Sequence, residues 1–210
     1  MAHMPVAERR AQLIAATSRV IGREGVAGAS TRRIAEEAGV PLGLLHYSFG
    51  TKEELFVAVI DDAVDRTYQL IAERAAAPGS GLGRAVTDYL ETFRHWALAA
   101  PEAMVTQYAL LTWMLRTQDG HAEAARRAYR RYLDGLLPVL AAAATEREHD
   151  VDLHKLARLA VATADGLILQ LITIGPEAVG AAELPEIADG LVHGARPAFN
   201  RNGIGIEGNA

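Results

Sequence analysis

The side chains able to do chemistry gather in three stretches of this 210-residue, cysteine-free chain. The first runs from Ser30 to Lys52 and offers the Ser30 hydroxyl, the cations Arg32, Arg33 and Lys52, and the polar aromatics His46 and Tyr47. These types contact phosphate rather than break bonds. Ser30 stands where a helix should begin, so its hydroxyl and the free backbone N–H groups behind it suit an anion. Lys52 falls in the first turn of a later helix, where a cation opposes the helix dipole. A lysine there is better explained by a phosphate than by stability.

The second stretch gathers Phe93, His95, Trp96, Met104, Gln107, Tyr108, Trp113 and Met114, including both tryptophans, with Gln170 as an outlying polar partner. Apolar walls with a few polar handles suit a small-molecule pocket, and plain core packing fits the same spacing. The expected ligand is largely apolar and of modest size, with His95, Gln107, Tyr108 and Gln170 as polar handles. The third stretch, His149-Asp150-Val151-Asp152-Leu153-His154, holds metal-capable groups at a spacing that matches no familiar helical metal motif. No metal and no cofactor are expected. Arg126, Arg127, Arg130 and Arg131 form a basic run, read as a solvated face with the pairs Glu123–Arg127 and Arg130–Asp134.

Several activities are disfavoured. The chain lacks a nucleophile elbow, a His-Glu-x-x-His pair and a glycine-rich phosphate loop, so it is read as not an enzyme. Without cysteine it has neither disulfides nor a thiolate metal site. The longest apolar run, Leu136 to Ala144, contains Pro138 and falls far short of the ~20 residues a bilayer requires. No signal peptide is visible, so a cytoplasmic location away from the membrane is expected. Charge is uneven. Residues 1–52 carry seven Arg and Lys against four Asp and Glu, a balance of +3, which leaves −8 of the total −5 for the other 158. A positive N-terminal part on an acidic body points to a polyanion met by the first part alone.

The elements that must position these groups are all helical. Leu13, Ala16, Thr17, Val20 and Ile21 keep helical spacing over 5–24, and Gly25 ends that helix. Ser30 caps a second helix to Ala38; Gly39 turns the chain, and Pro41 opens a third to about Ser48. Thr51 and Glu54 form a capping box for a long fourth helix reaching Ala77. After the turn Pro78-Gly79-Ser80-Gly81, helices are expected at 82–99, 102–117, 121–145, 152–174 and 184–199. Met1 to Met4 is set aside as a remnant outside the fold, and Arg201 to Ala210 is expected to be a mobile tail. The expected organisation is a three-helix unit over 5–50, a connecting helix over 51–77, and a larger helical domain over 82–200.

Residues 30–49 suit a helix-turn-helix. Ala35 is small where helices cross, while Ile34, Val40 and Leu45 supply the apolar contacts. Pro41, Leu42, Gly43 and Leu44 are left facing a major groove. On these residues alone a core helical hairpin fits as well. The whole segment STRRIAEEAGVPLGLLHYSFGTKEEL, with the preceding helix and Gly25, resembles the DNA-binding domain of the TetR family of bacterial transcriptional regulators over about residues 8–56. The resemblance rests on Ile34-Ala35, Ala38-Gly39-Val40, Gly43, the aromatics ending at Phe49, and Thr51-Lys52-Glu53 with Leu55. The later helices, with Asp165-Gly166-Leu167 in the next to last, resemble the family in layout only. Tyr47 and His46 resemble the aromatics the family uses on the DNA backbone, although His46 stands where tyrosine is common and Ser48 where tyrosine or histidine is common.

The resemblance implies a ligand-responsive regulator, repressing more often than activating, that binds a palindromic double-stranded operator as a homodimer and is released by a small effector. A helical ligand carrier or adaptor without DNA binding is the alternative. Leu153, Leu156, Ala160, Ala164, Leu167 and Leu171 form an apolar stripe with small residues. Read alone it is either a dimer seam or internal core. The resemblance implies the seam, as half of a four-helix bundle across a two-fold axis.

Overall fold

The computed structural model describes residues 5–116 and 121–197. Met1 to Met4, the break at Asp119-Gly120 and the tail Arg201 to Ala210 lie outside the described residues. All regular structure within them is helical: α1 (Val6–Gly28), α2 (Thr31–Ala38), α3 (Leu42–Phe49), α4 (Lys52–Glu73), α5 (Leu82–Ala99), α6 (Pro101–Arg116), α7 (His121–Ala143), α8 (Leu153–Thr173) and α9 (Leu184–Gly194). Short 3-10 turns precede α8 and α9, at Glu146–Glu148 and Ala181–Glu183.

Local chemistry sets most of the boundaries. Thr51 Oγ1 accepts from the Glu54 N–H at 3.1 Å and Glu54 Oε2 accepts from the Thr51 N–H at 3.4 Å, so the capping box forms in both directions. Gly25 has φ 72°, which breaks the helical path inside α1 even though the chain stays coiled to Gly28. α4 stops at Glu73, short of the expected Ala77, and Pro78 keeps helical backbone from resuming in the residue before it. α9 ends at Gly194, short of the expected 199.

The expected boundary at 78–81 is no loose linker. Gly79 N–H donates to Ala142 O at 2.9 Å and Gly81 N–H to Ala143 O at 2.8 Å, filling carbonyls that the end of α7 would otherwise leave unpaired.

Buried side chains form two cores. One joins α1 to α4 with Leu110 and Met114 of α6 and Ala124, Ala125 and Ala128 of α7. The other joins α5, α8 and α9 with Met104 of α6 and the C-terminal half of α7. α6 therefore belongs to both.

α7 crosses α4 at close range. A Cβ built on Gly135 would lie 1.5 Å from Cε1 of Tyr68, whose hydroxyl donates to the Arg131 carbonyl. Gly135→Ala gains helix propensity of about 1 kcal/mol, yet it must evict the Tyr68 ring. The expected result is a net loss of about 1–3 kcal/mol, read as a lower midpoint in urea; a rise would disprove the close crossing.

The apolar stripe on α8 needs correction. Leu156, Ala160, Ala164, Leu167 and Leu171 are buried within the chain itself, and Leu153 is half-buried against the same core. They pack on α5 and α7, so they form no surface on which a second subunit could sit. The same packing explains why α8 is long and apolar enough by composition to cross a bilayer: its apolar face is core. The open face of α8 carries Arg158, Ala162, Gly166 and Leu169 instead, with Gly190 and Gly194 on the open face of α9.

Candidate nucleic-acid interface and cavity

The α2–α3 unit is held from within by its glycine turn. Gly39 adopts φ 65°, which lets its N–H reach Glu36 O at 3.0 Å and the Val40 N–H reach Ala35 O at 3.0 Å. Ile34, Ala35, Ala38, Leu45 and Phe49 face α1 and α4. Gln12 Nε2 of α1 donates to Ala38 O at 2.8 Å, and the Arg10 guanidinium stacks over the Phe49 ring at 4.0 Å while donating to the Ser48 carbonyl.

With the inner face fixed, the outer one is open. Pro41, Gly43 and His46 are exposed, Leu42 is 41% exposed and Tyr47 78%, while Leu44 is half-buried. His46 Nδ1 lies 3.3 Å from Gly50 O. Ser30 caps α2 by accepting from the Arg33 N–H at 3.2 Å. Lys52 leans over the Phe56 ring at 5.4 Å, in the first turn of α4.

The two arginines behind Ser30 part company. Arg33 pairs with Glu24 Oε1 at 2.8 Å and Glu36 Oε2 at 2.9 Å, and these bonds raise its pKa further above the ordinary arginine range. Arg19 and Arg23 both bind Glu37, whose carboxyl is held down to about 2, chiefly by hydrogen bonds from Arg23 and then Arg19. Much of the positive charge at the N-terminus thus ties α1 to α2. The Arg33 guanidinium is engaged on both sides by carboxylates while its side chain stays 42% exposed. Arg32 is exposed and forms no ion pair among the described residues.

The second site is a cavity among α4, α5, α6, α7 and α8 with about 40 Å³ of free space, room for roughly three waters. Of the residues expected there, Phe93, Met104, Gln107 and Tyr108 line it. The others do not. His95 and Gln170 are exposed, and Trp96 stacks outside on Phe93 at 6.3 Å. Trp113 packs edge-on to Phe56 at 5.3 Å, and Met114 is fully buried in the N-terminal core. Helical spacing put these residues on neighbouring turns, but the faces of α5 and α6 point them elsewhere.

Sequence reasoning missed Ile60, Tyr89, Leu111, Tyr129, Tyr132 and Asp165 as lining residues. Asp165 accepts from Tyr108 Oη at 3.3 Å on Oδ1 and from Tyr129 Oη on Oδ2. Gln107 Nε2 donates to Tyr132 Oη at 2.7 Å. Burial raises the Asp165 carboxyl, against the two tyrosine hydrogen bonds, which lower it. Burial likewise pushes Tyr132 up to about 12 and raises Tyr89, Tyr108 and Tyr129, so all four phenols stay neutral.

A raised carboxyl binds its proton more tightly in the folded chain than in the unfolded one. Its contribution to stability is therefore full at pH below about 4 and is lost as pH rises through the folded value. Asp165→Asn should raise the melting temperature at neutral pH and change it little near pH 4. Equal shifts at both would rule out an uncompensated charge.

The basic run on α7 and the 149–154 segment take structural roles. Glu123 pairs with Arg126 at 3.4 Å and Arg130 at 2.7 Å, while Arg131 reaches across to Asp61 at 3.1 Å and to Asp65 of α4. The expected pairs Glu123–Arg127 and Arg130–Asp134 are replaced by these. Asp152 caps α8 through the Lys155 N–H at 3.0 Å, Asp150 pairs with Arg196 at 2.6 Å, and His149 Nδ1 sits 3.0 Å from Glu146 O.

A helix-turn-helix with an open recognition helix, carried on a helical body with a lined cavity, defines the class of helix-turn-helix transcriptional regulators. Residues 13–59 match the bacterial regulatory proteins of the tetR family. The chain is 31% identical to the HTH-type nicotine-responsive transcriptional repressor HdnoR of Paenarthrobacter nicotinovorans over 166 residues, 78% of this chain and 83% of that one. It is 30% identical to the HTH-type transcriptional regulator BetI of Brucella anthropi over 177 residues, 83% and 86% of the two chains. Among solved structures, the multidrug binding protein EbrR complexed with ethidium superposes with a TM-score of 0.65 at 29% identity, over 90% of this chain and 99% of that one. The protein belongs to the TetR family of transcriptional regulators.

Proposed function

We propose that the protein is a repressor that holds a palindromic operator as a homodimer and is released when a small, largely apolar effector enters the cavity among α4 to α8. The observation that carries this reading is the outer face of α3, where Leu42 and Tyr47 stand exposed. α3 enters the major groove with Pro41, Leu42, Gly43 and Leu44 foremost, reading thymine methyls by apolar contact. Ser30, Arg32, His46, Tyr47 and Lys52 rest on the flanking phosphates, and DNA shape supplies further specificity. The unit is the N-terminal segment 5–50, joined by α4 to the effector and dimerisation body.

Two copies must stand one DNA turn apart, roughly 34–36 Å. The open faces of α8 and α9 supply the dimer surface in place of the buried stripe. The names of the relatives, one nicotine-responsive and one complexed with ethidium, support an effector of small-molecule size.

Release runs through α6. Its Met104, Gln107, Tyr108 and Leu111 line the cavity, while Leu110 and Met114 sit in the N-terminal core. Thr106 lies against α1, so close that a Cβ on Gly22 would stand 3.2 Å from its Oγ1. An effector that spreads α6 from α8 pushes α1, and with it the α2–α3 unit, while Ile60 carries the same strain into α4. A coupling of about 1–3 kcal/mol lowers operator affinity about 5- to 150-fold.

The test is selection of bound duplexes from random DNA, followed by salt titration. Lys52→Ala and Arg32→Ala should each weaken binding to all sequences and flatten the salt slope by about one unit. Arg33→Ala should leave the slope unchanged. Failure to recover any preferred duplex would overturn the reading.

A further inference from the structure

Asp165 is the cavity's one carboxylate, and nothing among the described residues balances its charge. No Lys, Arg or His forms an ion pair with it; its polar partners are the hydroxyls of Tyr108 and Tyr129. Taking a carboxylate out of water without a counter-charge is expensive, and neutral phenols recover only part of that cost. Around it stand the rings of Tyr89, Phe93, Tyr129 and Tyr132, whose electron-rich faces attract positive charge.

We propose that the effector is a monovalent organic cation, a tertiary or quaternary amine or a charge-delocalised aromatic, seated with its charge at Asp165 and its apolar body among the tyrosine rings. This inference rests on reading the cavity as the effector site. One carboxylate balances one positive charge. An anion is repelled by Asp165. A neutral polar ligand finds few open partners, because Tyr108 and Tyr129 already donate to Asp165, and Gln107 donates to Tyr132. A metal ion needs several oxygen ligands, and the cavity offers one carboxylate, one amide and neutral phenols. With about 40 Å³ free, the ligand enters by parting side chains, which favours a weakly hydrated, apolar cation over a compact, strongly hydrated one.

The test uses DNA-free protein and calorimetric titration with tetraethylammonium, phenyltrimethylammonium and ethidium, with tert-butylbenzene as the uncharged counterpart of the second. The expected result is that Asp165→Asn weakens phenyltrimethylammonium at least about tenfold and leaves tert-butylbenzene within about threefold. Tyr108→Phe, which keeps the ring and frees an oxygen of Asp165, should bind the cation at least as well as the native chain. If Asp165→Asn does not fold, Tyr129→Leu and Tyr132→Leu replace it, each expected to weaken the cation selectively through loss of a ring face.

Equal cation affinity in these variants and the native chain overturns the inference, as does failure of all three cations to bind. Retention of the native protein on its selected duplex is measured alongside. Intact DNA binding without cation binding overturns this inference alone. Cation binding without DNA binding supports it and overturns the regulator reading instead.

Discussion

Gly166→Arg is expected to leave a folded single subunit that no longer holds an operator. In the single chain, a Cβ on Gly166 meets nothing within 4 Å, and the position lies on the open face of α8 near Leu169, an exposed leucine. Arginine is a good helix former, so the substitution costs the isolated subunit nothing and gains about 0.5–1 kcal/mol of helix propensity. In the proposed dimer the same position would meet its own copy across the two-fold axis, and two long cations there would forbid close helix approach. Losing the second half-site removes the effective-concentration advantage, about 10²–10⁴-fold in operator affinity. Sedimentation should show the single subunit, circular dichroism an unchanged helix content, and gel shift the loss of the complex. A variant that remains dimeric and holds DNA would place the dimer surface elsewhere.

Phe56→Ala should destabilise the protein by about 3–5 kcal/mol, a large share of the roughly 5–15 kcal/mol that holds a typical domain together. The ring is fully buried, stands edge-on to Trp113 of α6 at an interplanar angle of 81°, and supports the Lys52 ammonium from below. It is the packing joint between the start of α4 and the helix that lines the cavity. A melting temperature lower by roughly 6–20 °C is expected, with partial recovery in Phe56→Leu, which keeps an apolar side chain in the joint. A shift under about 1 kcal/mol would show that α4 and α6 are not joined there.

What could be read from the sequence was what neighbouring residues settle among themselves. Thr51 and Glu54 are three apart, and their cap depends on little else. Gly39 needs only its own φ. The open face of α3 was legible because its inner partners, Ile34, Ala35 and Leu45, lie within a dozen residues.

Long-range choices were not legible. An apolar stripe records which residues share a face, not what covers that face. A seam between subunits and a seam with α5 and α7 leave the same pattern at Leu156, Ala160, Ala164, Leu167 and Leu171. Arg33 carried a visible i,i+3 partner in Glu36, whereas Glu24 lies nine residues back, across a break in the helix. Tyr129 and Tyr132 were hidden by the arginines around them. Their three-residue spacing with Ala125 and Ala128, on the side away from Arg126 and Arg130, was the available signal that α7 has a second, inward face.

The near-filled state of the cavity separates occupancy from response. A slender cation that parts side chains alone would engage Asp165 without forcing α6 outward. It would then exclude larger molecules while leaving the operator complex intact, and so behave as a competitive antagonist. Induction and affinity should therefore rank a series of compounds differently, with molecular girth deciding the first and charge the second.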